Sequence, residues 1–300
     1  MEQPVRADHA VARRSRTRAG KRAAPYFLAL PGGLWLAALF LVPLIIMLSL
    51  SLQTGDPLHG YTLTWHFAEF GQVLSQHHTE FVRSIYYAAA ATVICLIVSF
   101  PLAYWIAFHG GTRKNFFLLM LLLPFFVSFV IRSLAWQFLL SDNGILLGTL
   151  KNLHLLPQDF HVLATSTAVI AGIAYNYLPF TALPLYVSLE RIDPRVMEAA
   201  GDLFANRRQV FMKVVFPLCI PGIFAAFLLT FVPAVGDYLN QQILGGVSNT
   251  MIGTIIQTQF LVNGDYAGAS ALSAILLAGV LFGIFLYARL LGSRTIEEYI

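Results

Sequence analysis

The chain reads as an all-α membrane protein with six transmembrane helices, and three observations predict it. Of its 300 residues 57% are hydrophobic and only 11% are charged, against about 25% charged in an ordinary soluble domain. Pro25 to Gly55 contains no Asp, Glu, Lys, Arg or His, a run longer than the ~20 residues that cross a bilayer. Five further apolar segments follow, giving spans at about 26–50, 84–108, 115–140, 163–189, 214–240 and 267–291. In hydrocarbon only helices and closed barrels satisfy every backbone polar group. Continuous apolar character, in place of short alternating strands, selects helices.

The first element is a basic tail, residues 1–25, with Arg13, Arg14, Arg16, Arg18, Lys21 and Arg22 ahead of the first span. The net charge of +4 and pI near 9.1 are therefore a topology signal: such clusters stay on the cytoplasmic side. Nucleic acid is excluded as a partner, because no basic groove with stacking aromatics accompanies the cluster. The first apolar run also exceeds the ~7–15-residue core of a signal peptide, so it is a retained anchor.

The connections repeat the charge asymmetry. Seven Lys and Arg lie in the tail, two at Arg113 and Lys114, five from Arg191 to Lys213, and two at Arg289 and Arg294. The opposite loops hold Lys151, with Arg83 at a boundary. Both termini are expected inside, with a permease domain over 26–292, a cytoplasmic loop at 190–217 and a C-terminal tail at 293–300. Pro43, Pro101, Pro124, Pro179, Pro184, Pro221 and Pro233 fall within spans; each removes a backbone donor and favours a kink. Cys95 and Cys219 also fall within spans and read as space-filling thiols. The outer loops, such as 141–144 and 245–249, are short polar connections containing glycine.

The loop at 190–217 carries the functional information. Asp193-Pro194 opens it as an N-cap followed by proline at the first helical position. Val196, Ala199, Ala200 and Leu203 recur at helical spacing and make one apolar face, with Glu198 and Asp202 on another. Asn206 caps a second helix that runs into the fifth span. The expectation is a short docking helix, a turn, and a lever joined to the membrane, with Gly201 offering flexibility nearby.

This loop resembles the docking loop of the membrane subunits of binding-protein-dependent ABC importers. That motif reads Glu-Ala-Ala, three residues, Gly, nine residues, Ile, one residue, Leu-Pro. The chain has Glu198-Ala199-Ala200, Phe204 at the Gly position, Val214 at the Ile position, and Phe216-Pro217 at Leu-Pro. Leu123-Pro124-Phe125, Ile131-Arg132, Tyr177-Leu178-Pro179-Phe180 and Pro233-Ala234-Val235-Gly236 are similar to the spermidine/putrescine permeases. The resemblance implies a type I importer permease fold that works by alternating access. It implies a second, distinct permease subunit, two cytoplasmic ATPase subunits, an extracytoplasmic solute-binding protein and a polyamine as solute. It also makes Val196, Glu198, Ala199, Ala200, Gly201, Leu203 and Pro217 the ATPase-coupling residues. No phosphate-loop motif is present, so Mg-ATP is assigned to the partner ATPases and no cofactor or metal to this chain. Iron, thiamine, sulfate or phosphonate is the alternative solute, and a self-contained secondary transporter the alternative class.

Candidates for the solute path gather at the outer side of the fifth span and beyond it. Asp237, Tyr238, Asn240, Gln241, Gln242 and Gln257 offer a carboxylate, amide oxygens and an aromatic face, which suit spaced ammonium groups. Trp136 and Tyr177 are aromatic candidates for the same path, alongside core packing. Arg132 lies at a depth comparable to Asp237, so an internal Arg132–Asp237 ion pair competes with a solute-facing Asp237.

Overall fold

The computed structural model describes residues 30–295 apart from 57, 58 and 66. The basic tail at 1–25 and residues 296–300 lie outside the described residues. Five helices are long and apolar enough to cross a membrane, and a bent helix pair makes a sixth candidate. In chain order the helices are α1 (Leu30–Leu50), α2 (Ala68–His109), α3 (Lys114–Leu122), α4 (Phe129–Leu140), α5 (Ile145–Asn152) and α6 (Ser166–Glu190). They continue with α7 (Pro194–Asp202), α8 (Arg207–Val210), α9 (Phe216–Val235), α10 (Ile252–Thr258) and α11 (Tyr266–Thr295). α1 stands apart, with 0% of its apolar window buried, so its surface is left to lipid or another chain.

α2, α6 and α9 form the centre. Small residues bring them together: Ala88, Ala91 and Cys95 on α2 pack with Val169, Ile173 and Ala174 on α6. A second cluster nearer the 190–217 loop joins Ala103 and Ile106 to Leu185, Leu189, Val215 and Cys219. α6 and α9 touch so closely that a Cβ on Gly222 would meet the Ser188 side chain at 2.3 Å. Close backbone approach is how membrane helices gain dispersion energy where lipid is as apolar as they are. Thr181 and Thr230 add a buried 2.6 Å hydrogen bond between the same two helices.

Three features depart from the sequence expectation. The third span is not one helix: it breaks at Val127–Ser128, and its halves meet at 86°. Pro124 sits at the start of the 3₁₀ turn before the break, and Val127 is extended. The second span begins at Ala68, and its non-helical residue is His77, not Pro101; likewise α6 continues through Pro179 and Pro184. Between α1 and α2 lies an unexpected hairpin, β1 (Gln53–Asp56) and β2 (Gly60–Leu63), antiparallel with Gln53 opposite Leu63. The Tyr61 hydroxyl donates to the Gly264 carbonyl at 3.1 Å and pins this hairpin near the start of α11.

Candidate functional site

The docking segment is built by caps at both of its helices. The Asp193 carboxylate accepts from the Arg195 N–H at 3.0 Å and starts α7, with Pro194 at the first position. Asn206 and Gln209 cap α8 reciprocally, each side chain accepting from the other's N–H at 2.9 Å, a pattern that satisfies two orphan donors at once. Beyond α8 the backbone widens into a π turn over Phe211–Val215, closed by the Phe216 N–H on the Phe211 carbonyl. Pro217 has no N–H to return to Lys213, so an ordinary α-helical ladder cannot run unbroken here.

The apolar face divides on packing. Met197 tucks against the second core cluster and Ala200 is half-buried, whereas Val196, Ala199 and Leu203 are exposed. Glu198 and Gly201 are exposed too. The free face is therefore Val196, Ala199 and Leu203, and Ala200 belongs to the inner side. Gly201 lies within the helix, and Phe204 makes the turn, with φ of 60°. Phe216, at the motif's Leu position, fits because Phe100 and Phe211 hold it in an aromatic cluster, with Phe100 at 6.4 Å. A cavity of about 490 Å³ opens beside Val196, Arg191, Asp193, Leu218 and Pro221. At the same end, Lys114 at the start of α3 pairs with Glu190 at the end of α6.

A polar cluster crosses the middle of the bundle. The Asp237 carboxylate accepts from the Asn240 backbone N–H at 3.1 Å and from its side-chain amide at 2.6 Å, and the Tyr177 ring neighbours it. The Asn240 amide oxygen in turn accepts from Asn176 at 2.9 Å and from Ser133 at 3.0 Å. Ser133, Asn176 and Asn240 are 0% exposed and Asp237 is 5% exposed. The cluster thus ties α4, α6 and the stretch beyond α9 with neutral donors around one carboxylate. Ser133 and Asn176 were not singled out from the sequence, although an uncharged polar residue within an apolar span was a signal available to it.

Of the two readings left open for Asp237, the ion pair with Arg132 does not form. Arg132 is buried and lies over Phe125 at 5.2 Å and Phe129 at 5.7 Å, so its guanidinium clamps both sides of the break in the third span. Its Nε has no hydrogen-bond partner among the described residues, and the aromatic faces supply the compensating attraction. Asp237 is satisfied by Asn240 and turned inward, so it does not present a carboxylate to the exterior.

The remaining path candidates separate cleanly. Gln241 is buried, donating to the Gly246 carbonyl at 2.8 Å and accepting from Thr254 at 2.6 Å. Trp136 packs edge-on to Tyr175 at 5.4 Å, and Tyr177 packs against Phe129 and Phe180. Tyr238 is 43% exposed. Gln242 is exposed as well, and its amide donates to Gln257, which is half-buried. Tyr238 and Gln242 are the exposed members of this set, with the half-buried Gln257 paired to Gln242.

Comparisons with known proteins agree with the geometry. A family model described as binding-protein-dependent transport system inner membrane component matches residues 99–296. The spermidine/putrescine transport system permease protein PotB of Haemophilus influenzae is 32% identical, over 85% of this chain and 90% of that protein. The protein of the same name from Escherichia coli K12 is 29% identical over 88% of this chain and 97% of its own length. The fold matches a bacterial alginate ABC transporter solved in complex with an alginate pentasaccharide-bound periplasmic protein. That match has a TM-score of 0.66 at 18% identity and covers 93% of this chain and 98% of the other. The architecture is that of a type I ABC importer permease, a multi-pass membrane protein. The matched length and the similarity to PotB lead to one conclusion: the chain belongs to the family of binding-protein-dependent transport system inner membrane components.

Proposed function

We propose that this chain is the membrane subunit of an ATP-driven importer of polyamines, spermidine or putrescine. The observation that carries the coupling half of this reading is the exposed Val196–Ala199–Leu203 face, an apolar stripe on a charged segment that none of the described residues covers. An ATPase subunit docked there moves α7, and α7 is joined through α8 and the π turn to α9. A second, distinct permease completes the path, an extracytoplasmic binding protein delivers the solute, and Mg-ATP is handled by the two ATPases. Both termini and the docking segment lie in the cytoplasm. The polyamine assignment is supported by the relatives' named solute together with the exposed Tyr238 and Gln242 and the half-buried Gln257. An amide oxygen accepts from an ammonium group and an aromatic face attracts it. The assignment leaves Asp237 as a positioning group behind this surface.

The test is uptake by the whole complex in proteoliposomes charged with ATP. Labelled spermidine or putrescine is expected to accumulate only with binding protein and ATP present, and each to compete with the other. Accumulation of an unrelated solute that excess spermidine does not reduce would refute the polyamine assignment.

A further inference from the structure

α7 ends in a geometry that its sequence makes unfavourable. The Phe204 N–H donates to the Gly201 carbonyl at 2.9 Å and the Ala205 N–H to the Ala200 carbonyl at 3.1 Å. This paired closure puts the residue after the helix in the left-handed region, where glycine is the usual occupant. Phe204 takes it at φ 60°, a conformation in which a Cβ is crowded by backbone. Its ring gains almost no contact among the described residues: Phe204 is 97% exposed and Leu203 beside it 81%. By contrast Ala164, also left-handed and exposed, is tied to the buried Leu244 through its N–H on that residue's carbonyl at 2.8 Å.

The residues flanking the ring in sequence are charged or polar: Glu198, Asp202, Asn206, Arg207 and Arg208 are all exposed, the composition of a polar rim on a water-facing surface. An aromatic projecting from such a rim, next to an open apolar stripe, has the composition of an interface hot spot. Glycine would relieve the backbone and remove an exposed ring, so the folded chain alone offers no reason for phenylalanine.

We propose that Phe204 is an anchor for the ATPase subunit: with Leu203 it extends the Val196–Ala199 stripe into an apolar pocket of that partner and selects the ATPase that fits. This rests on the coupling reading above. The strained backbone holds the ring out at the end of α7, so little freedom is lost when the pocket closes on it.

The experiment purifies the transport complex through the permease and measures ATPase retained, permease yield and thermal stability. Phe204→Gly is expected to keep yield and stability while retained ATPase falls about 5-fold or more; Phe204→Tyr is expected to keep the ATPase. Ala199→Asp is the reference for docking as a whole. Full retention in Phe204→Gly with loss in Ala199→Asp overturns the anchor and leaves the docking face standing. Full retention in both overturns the docking reading itself. Loss of permease yield in both Phe204→Gly and Phe204→Ala makes the residue structural and overturns the proposal.

Discussion

Asn176 in the middle of α6 donates a 2.9 Å hydrogen bond to Asn240 beyond the end of α9, with both side chains fully buried. Asn240 uses its other amide atom on Asp237 at 2.6 Å, so one side chain serves a carboxylate and the Asn176 N–H together, while the Asn176 Oδ1 has no hydrogen-bond partner among the described residues. In a dry interior an unpaired polar group costs more than a made bond gains. The cluster therefore fixes how α4, α6 and the stretch after α9 sit together.

Asn240→Ala removes a side-chain partner from Asp237 and from Asn176 at once, leaving them the residue-240 backbone N–H and Ser133 respectively. It is expected to destabilise the purified complex by ~2–4 kcal/mol, more than Asn176→Ala at ~1–3 kcal/mol. Thermal unfolding of both singles and the double checks this, and the double is expected to fall short of the sum because the residues share one bond.

Arg132→Gln removes a clamp across the break in the third span and is expected to cost ~1–2 kcal/mol of stability, the scale of a desolvated cation–π contact. Because Arg132 lies on Phe125 and Phe129 and not on Asp237, adding Asp237→Asn is expected to give no rescue. Recovery of complex yield in the double variant would restore the ion pair.

The two polar groups beyond α9 are expected to fail in different ways. Gln242→Ala, on an exposed side chain, is expected to lower polyamine uptake several-fold, the scale of one hydrogen bond to a charged group, with assembly unchanged. Asp237→Asn is expected to lower complex yield first, because its carboxylate serves Asn240. Uptake measured per unit of assembled complex separates the two.

Topology is testable with thiol reagents, since Cys95 and Cys219 are buried and free and give little background. Cysteine at exposed Ser248 is expected to label from outside intact cells and cysteine at exposed Asp202 only after permeabilisation. Labelling of the Asp202 position from outside would reverse the orientation.

Apolar run length made the number of spans legible, because lipid tolerates so few backbone solutions. The caps of the docking segment were equally legible, since Asp193-Pro194 and Asn206 act through bonds local in sequence. The break at Val127–Ser128 was not, because Pro124 is one of several prolines and α6 absorbs two without interruption. Burial escaped too: Asp237 and Gln242 differ little as letters, yet one is enclosed by Asn240 and Tyr177 and the other is open. The division of the apolar face, with Met197 inward and Ala199 outward, depends on the core cluster beneath α7 and on no local spacing.

The central claim, that the exposed face of α7 transmits ATP hydrolysis to the membrane path, is tested most directly by Ala199→Asp in the reconstituted complex. A carboxylate there places an uncompensated charge in an apolar contact. The permease is expected to insert and fold normally while ATP-dependent spermidine uptake falls at least ~10-fold, in step with the ATPase retained, as loss of an interface residue worth ~1.4 kcal/mol or more requires. Unchanged uptake with a full complement of ATPase would contradict it.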